Sequence, residues 1–256
     1  MTLKLEKKQI IAFQNSGIIK IKNFFKKEDI KDLKNNLFKK LKKKNSFDCY
    51  YENLNNTRLL RRIEKLSQNS REFSNLLNNK LLKKTLRKLS SKKYHLFKDK
   101  LNFKYPNSQG FNRHIDGHWH WQNQKNKKEF GWKKYGNNFL NVVIPLENVY
   151  LKNGCLYLSS KQYTLKVLGK NWKTITKNLE NKKSILSKKF KFKPYPINIG
   201  DILIFDWKVC HYSKKNLSNF SRMIIYATFS DKKNQMKKYY LDKKRSKSTV
   251  KQKVFF

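Results

Sequence analysis

The spacing of apolar residues changes period near residue 92, which confines the chain to a fold where a helical segment supports a set of strands. Between Lys27 and Lys44, Ile30, Leu33, Leu37, Phe38 and Leu41 recur at helical spacing with lysines on the opposite face. Leu5 to Asn15 reads as a shorter helix that Gly17 is placed to end, followed by a brief strand at Ile18-Ile19-Lys20-Ile21. The amphipathic stretches Leu59 to Asn78 and Lys80 to Leu89 read as two further helices. Beyond residue 92 the period falls to two. From Leu96 to Lys104, Leu101 and Phe103 take one face while Lys100, Asn102 and Lys104 take the other. Phe139 to Leu146 is a nearly continuous apolar run, as expected of a strand covered on both faces. Gly154 to Leu158, Ile202 to Trp207 and Met223 to Phe229 are further strands, and Gly200-Asp201 is a tight entry to the strand that leads to His211. Short strands after a helical segment imply a β-sandwich or barrel buttressed by helices. One domain over residues 1–240 is expected, with helical support in 1–92 and a β core in 93–240. A loosely ordered basic tail follows over 241–256.

A chain of 256 residues can bury one sizeable core, and 38% hydrophobic with 14% aromatic residues excludes a wholly disordered protein. The formal charge is +44, yet only eight of the 61 basic residues are Arg (58, 61, 62, 71, 87, 113, 222 and 245). One reading of that excess is a nucleic-acid or anionic-membrane surface. The other, which the scarcity of Arg favours, is compositional bias that spreads lysines over solvated faces. Either way, non-specific and salt-sensitive binding to polyanions is expected. Cys49, Cys155 and Cys210 are too few and too scattered for a disulfide framework or a zinc knuckle, which points to a reducing compartment. The first 13 residues hold only a four-residue apolar run, too short for a signal peptide. No stretch approaches the roughly 20 apolar residues of a membrane span. A cytoplasmic location is therefore the expectation.

The chemistry is carried by His114-Ile115-Asp116, His211 and Arg222. Two histidines and one carboxylate can hold a non-haem Fe(II) on one face and leave the opposite positions open. Residues two apart on a strand face the same way, so His114 and Asp116 can reach one ion together. Taken singly, each residue has an ordinary explanation: a hydrogen-bonded loop histidine, a turn aspartate beside Gly117, a strand-end histidine near Trp207. Arg222 precedes the apolar Met223-Ile224-Ile225, and a buried arginine needs an anionic partner such as a co-substrate carboxylate. His118 and His120 could form a second metal pair, but no glutamate follows at short spacing. The favoured reading makes His118-Trp119-His120-Trp121 an aromatic wall beside the metal, with His120 and Trp121 facing the substrate. Trp132, Tyr135 and Tyr157 could extend that wall or belong to the core.

From Phe13-Gln14-Asn15-Ser16-Gly17 through Arg222 to Tyr226 the chain resembles the phytanoyl-CoA dioxygenase family of Fe(II)- and 2-oxoglutarate-dependent oxygenases. The resemblance lies in Asp99-Lys100-Leu101-Asn102-Phe103-Lys104-Tyr105-Pro106 ahead of the H-x-D, and in Asn141-Val142-Val143-Ile144-Pro145-Leu146-Glu147 with Asn153-Gly154-Cys155-Leu156. It continues through Gly200-Asp201-Ile202-Leu203-Ile204-Phe205, His211, Ser213, Asn216, Ser218 and Arg222. It implies a double-stranded β-helix, a jelly-roll type of barrel, with helices packed outside. It further implies that His114, Asp116 and His211 bind iron, and that Arg222 and Ser213 hold the distal carboxylate of 2-oxoglutarate. Lys104 matches a lysine that touches the co-substrate in the family, although it would also pass as an ordinary surface lysine. With O2 the enzyme would hydroxylate a small molecule and release succinate and CO2. Related halogenases lack the carboxylate ligand; Asp116 is present here, so hydroxylation is the expected outcome. The family's Pro-Gly-Ser-His loop is replaced by Leu158-Ser159-Ser160-Lys161-Gln162-Tyr163, so substrate identity does not carry over.

The alternatives are a nucleic-acid-modifying oxygenase of the same metal class, a non-catalytic basic binding protein on the same barrel, and a membrane-surface enzyme. The intact ligand set speaks against a protein that has lost its metal. The sequence leaves the oligomeric state open.

Overall fold

The helical spacing of the first forty residues is realised as α1 (Lys7–Ser16) and α2 (Lys27–Lys42), which flank the strand β1 (Ile18–Ile21). Glu6 and Gln9 form a capping box at the start of α1, and Gly17 ends it in the left-handed conformation at φ 70°. These features come from a computed structural model, which describes residues 5–42, 47–54, 56–117, 120–123, 125–169 and 188–242. The basic tail from residue 243 lies outside the described residues.

One expectation about the N-terminal third fails. Leu59 to Asn78 is not a single helix: β2 (Asp48–Leu54) and β3 (Thr57–Glu64) form a hairpin, and only then do the short helices α3 (Leu66–Asn69) and α4 (Arg71–Leu77) follow. The apolar residues of this stretch fit a helical period, and β3 further hides its alternation with a bulge at Arg61. Pairing of β3 with the next strand decides for the strand, since Ile63 lies opposite Leu101 and is fully buried. The predicted helix at Lys80 is α5 (Lys80–Ser90), capped by Asn79, whose side chain accepts from the backbone of Leu81 and Leu82.

The remaining strands alternate between two antiparallel sheets. The larger has the order β1-β11-β8-β13-β4-β3-β2 and the smaller β10-β9-β12-β5. Here β4 is His95–Lys104, β5 Phe111–His114, β8 Phe139–Pro145, β9 Leu156–Ser159, β10 Lys193–Tyr195, β11 Ile202–Asp206, β12 Cys210–Ser213 and β13 Arg222–Ser230. A separate two-stranded ribbon pairs β6 (His120–Gln122) with β7 (Lys128–Phe130). Helix α6 (Lys161–Leu168) lies between β9 and β10, and α7 (Gln235–Asp242) follows β13. The sheets face each other but stay open at their edges.

Alternation along the large sheet sorts its residues into two faces. Leu101, Phe103, Val142, Ile144, Ile202, Ile204, Ile225 and Ala227 pack against Ile30, Leu33 and Leu37 of α2 and Leu82, Leu86 and Leu89 of α5. The opposite face turns toward the small sheet, where Val143, Leu203, Phe205 and Ile224 meet Leu156 and Leu158. Lys100, Asn102 and Lys104 belong to this inner face. The charged side of β4 is therefore the interior of the sandwich and not a solvated surface. Asp201 fixes the entry to β11, accepting from the backbone of Asn23 at 3.0 Å and of Asn198 at 3.1 Å.

Candidate metal and co-substrate site

Strands β5 and β12 are neighbours in the small sheet, and their register sets His114 opposite His211. The two imidazoles stand 4.2 Å apart between ring centroids. Asp116 does not share a strand with His114, as the sequence suggested, because β5 ends at His114. Its carboxylate comes back from the turn that follows, through Gly117 at φ +74°. A Cβ at Gly117 would stand 2.9 Å from the Trp132 indole, so backbone freedom and close packing both call for glycine there. His211 Nε2 lies 3.7 Å from Asp116 Oδ2, and one donor atom from each of the three residues falls within 4.8 Å of the others.

The tautomers are fixed by the backbone. His114 Nδ1 lies 2.6 Å from the Asn112 carbonyl and His211 Nδ1 3.0 Å from the Val209 carbonyl. A carbonyl only accepts, so each Nδ1 carries its proton and each Nε2 keeps a lone pair for a metal. Burial, reinforced by His211, lowers the His114 imidazole to about 4, and burial likewise lowers His211. Burial opposes ionisation of Asp116, but His211, Lys98, His114 and Lys100 together bring it down to about 2. Near neutral pH this makes two neutral imidazoles and one carboxylate, a donor set that suits Fe(II).

Deeper in the sandwich, Lys104 and Arg222 are direct partners across β4 and β13, 1% and 2% exposed. Lys104 Nζ donates to Ser213 Oγ at 2.8 Å and to the Lys214 carbonyl at 2.7 Å. Ser213 Oγ also accepts from the Phe111 backbone at 3.2 Å. Burial, Arg222 and Arg61 together press the Lys104 ammonium well below its ordinary value. Arg222 donates from Nη1 to the Tyr226 hydroxyl at 3.3 Å, while its buried Nε has no hydrogen-bond partner among the described residues. Neither cation lies within ion-pair distance of a carboxylate of the described residues. Buried charges of one sign call for an anion. The surface-lysine reading of Lys104 is thereby overturned.

Arg61 is a buried neighbour that sequence reasoning missed. It pairs with Glu52 at 3.3 Å, donates to the Phe103 carbonyl, and is lowered to about 10 chiefly by burial. Strand alternation could not have found it, because a bulge at Arg61 turns it to the inner side, over the Phe111 ring, while Ile63 packs against the helices. A solvent-open cavity of about 470 Å³ adjoins the three candidate ligands and takes in Lys98, Lys100, Asn141 and Tyr226, which the sequence did not single out. The expected aromatic wall has a different fate. Residues 118 and 119, and the side chains of His120 and Trp121, lie outside the described residues, although the backbone pairs His120 with Phe130 and Trp121 with Glu129. Trp132 and Tyr135 are fully buried around Phe97, and Tyr157 stacks on Tyr212. None of these three lines the cavity.

The family model described as phytanoyl-CoA dioxygenase matches residues 13–224. A 2-aminoethylphosphonate dioxygenase from the uncultured bacterium HF130_AEPn_1 is 26% identical, covering 92% of this chain and 86% of that protein. Among solved structures, EctD from S. alaskensis with bound Fe gives a TM-score of 0.68 at 16% identity, covering 88% of this chain and 76% of that one. The non-heme alpha ketoglutarate dependent carbocyclase SnoK from nogalamycin biosynthesis gives 0.66 at 12% identity, covering 95% and 94%. At such identities the structural likeness speaks for the fold, a double-stranded β-helix.

Proposed function

The chain belongs to the phytanoyl-CoA dioxygenase family, and we propose that it uses Fe(II), 2-oxoglutarate and O2 to hydroxylate a small organic substrate. The observation that carries this reading is the approach of His114, Asp116 and His211 to within 4.8 Å of one another, with both Nδ1 atoms already engaged. These three side chains would hold the iron. Arg222, Ser213 and Lys104 would hold the far carboxylate of 2-oxoglutarate. When bound, the metal would let O2 act as the oxidant with electrons from 2-oxoglutarate, one oxygen atom leaving in succinate alongside CO2 and the other entering a substrate C–H bond as a hydroxyl.

The chain's own contribution is positioning. The Asn112 and Val209 carbonyls keep both Nε2 lone pairs aimed at one point. Ser213 Oγ accepts two hydrogen bonds, which leaves its hydroxyl proton free for an anion. Lys104 spends two N–H groups on Ser213 and Lys214 and keeps a third. The 26%-identical relative, named for a small phosphonate, supports a small-molecule substrate here.

The test is an anaerobic titration with Fe(II) and 2-oxoglutarate, watching the visible metal-to-ligand charge-transfer band. Wild type should give the band and, in air with substrate, succinate. A full band in His211→Ala would sink the assignment.

A further inference from the structure

We propose, resting on the iron and 2-oxoglutarate reading above, that Asn141 is a further binding residue of this site. Its side-chain amide would donate a hydrogen bond to the 2-oxo acid end of 2-oxoglutarate, the end that meets the metal. Thr228 would act as a positioning residue that holds the amide in the orientation to do so.

Asn141 is the one polar residue of β8, a strand buried along its whole length. A strand covered on both faces admits a polar group only where something answers it. Thr228 answers half of the amide. The two residues are cross-strand partners on β8 and β13, 4% and 3% exposed, and Thr228 Oγ1 donates to Asn141 Oδ1 at 2.8 Å. The hydroxyl has a single proton and no other acceptor among the described residues. Turning the amide over would leave that proton and the amide oxygen both buried and unpaired, so the pair fixes which way the amide points. Asn141 Nδ2 is then left buried with no hydrogen-bond partner among the described residues.

That nitrogen belongs to the metal-ligand end of the sandwich. The other cross-strand partner of Asn141 is Phe205 on β11, whose ring centroid stands 4.9 Å from that of His211. Asn141 and Thr228 also line the cavity shared by His114, Asp116 and His211. Arg222 Nη1 meets the Tyr226 hydroxyl at 3.3 Å, so the guanidinium end of the pocket lies between those two positions of β13. Successive inner-face positions of a strand are roughly 6.6 Å apart, and the terminal carbons of an extended five-carbon diacid about 5 Å apart. A diacid held at Arg222 by one carboxylate therefore carries its other end about one such step along β13, toward Thr228 and Asn141. That end is a 2-oxo acid, and chelation through two of its three oxygens leaves one carboxylate oxygen to accept from the amide.

The probes are 2-oxoglutarate and pyruvate, each titrated anaerobically into the Fe(II) protein and read from the charge-transfer band. Pyruvate has the chelating end and lacks the far carboxylate. Asn141→Leu should weaken both ligands about tenfold or more and move the band maximum, while Fe(II) affinity measured without them stays unchanged. Arg222→Ala should weaken 2-oxoglutarate and leave pyruvate nearly unaffected. Thr228→Val should weaken both ligands in the same direction as Asn141→Leu, and Thr228→Ser should keep wild-type affinity. If Asn141→Leu does not fold, the two Thr228 variants carry the test. Undiminished 2-oxoglutarate affinity with an unmoved band in Asn141→Leu would mean that the amide serves the substrate or the fold alone, and would overturn the proposal. So would a loss confined to 2-oxoglutarate, which would put the amide at the far carboxylate. Failure of the band to form in wild type would instead strike the iron and 2-oxoglutarate reading.

Discussion

His114 and His211 are cross-strand partners on β5 and β12, and each ring is held by the backbone carbonyl two residues before it. A one-residue slip between these strands would turn one imidazole to the other face of the sheet. If these two rings hold the proposed iron, metal affinity and sheet register are coupled. A divalent metal at about a hundredfold excess over its Kd should add about 2.7 kcal/mol of stability. In His211→Ala that gain should vanish. Thermal melts with and without metal check this, and an unchanged metal-induced rise in Tm would contradict it.

Arg222→Ala removes a buried guanidinium whose Nε has no hydrogen-bond partner among the described residues. Hydrogen bonds to charged groups contribute about 1.5–3 kcal/mol, so 2-oxoglutarate affinity should fall at least about tenfold. Lys104→Met should weaken it in the same direction. Metal binding measured without 2-oxoglutarate should hardly move in either variant.

Gly154 lies at φ +81°, and a Cβ there would stand 2.6 Å from the Lys214 carbonyl and 3.0 Å from Lys104 Nζ. Gly154→Ala should cost about 1–3 kcal/mol in denaturant unfolding. It should also raise the KM for 2-oxoglutarate, because Lys104 must shift. A variant of native stability and native KM would show that the backbone yields without strain.

Adjacent positions of β4 should respond differently. Leu101 is fully buried against the helices, and Leu101→Ala should cost about 2–5 kcal/mol. Lys100→Met lies on the inner face and should leave the unfolding midpoint close to wild type. Urea melts of the two variants decide the matter.

The His114 imidazole is held near 4 by burial and His211, against 6.5 when exposed. The unfolded chain then takes up the proton first. This stabilisation is full above pH 6.5 and is lost as pH falls toward 4. Asp99 and Asp206, raised by burial, act with the opposite sign, so the informative quantity is the difference between proteins. The metal-free wild type should lose stability over that window more steeply than His114→Asn. Parallel curves would refute the assignment.

Helices with one apolar stripe and the strands of the large sheet were readable from period alone, because burial of Ile30, Leu33 and Leu37, or of Val142 and Ile144, is written into their spacing. The β2–β3 hairpin was not, since Leu59, Leu60, Ile63 and Leu66 fit a helical period and only pairing of β3 with β2 and β4 overrides it. The proposed ligand trio was legible as residue types. That Asp116 reaches the histidines from a turn depends on Gly117 and on Trp132 behind it, which only the folded chain brings together. Lys100 was hidden for a different reason: in a chain with 61 basic residues, one lysine facing inward looks like all the others.

β1 is four residues long, yet its pairing from Ile18–Phe205 to Ile21–Ile202 makes it the border strand beside β11. Versions of this protein shortened past Ile21 would bare the apolar edge of β11 with its amides and carbonyls unpaired. Such a border invites another molecule to add a strand, so truncation would drive self-association well before it touched the active centre.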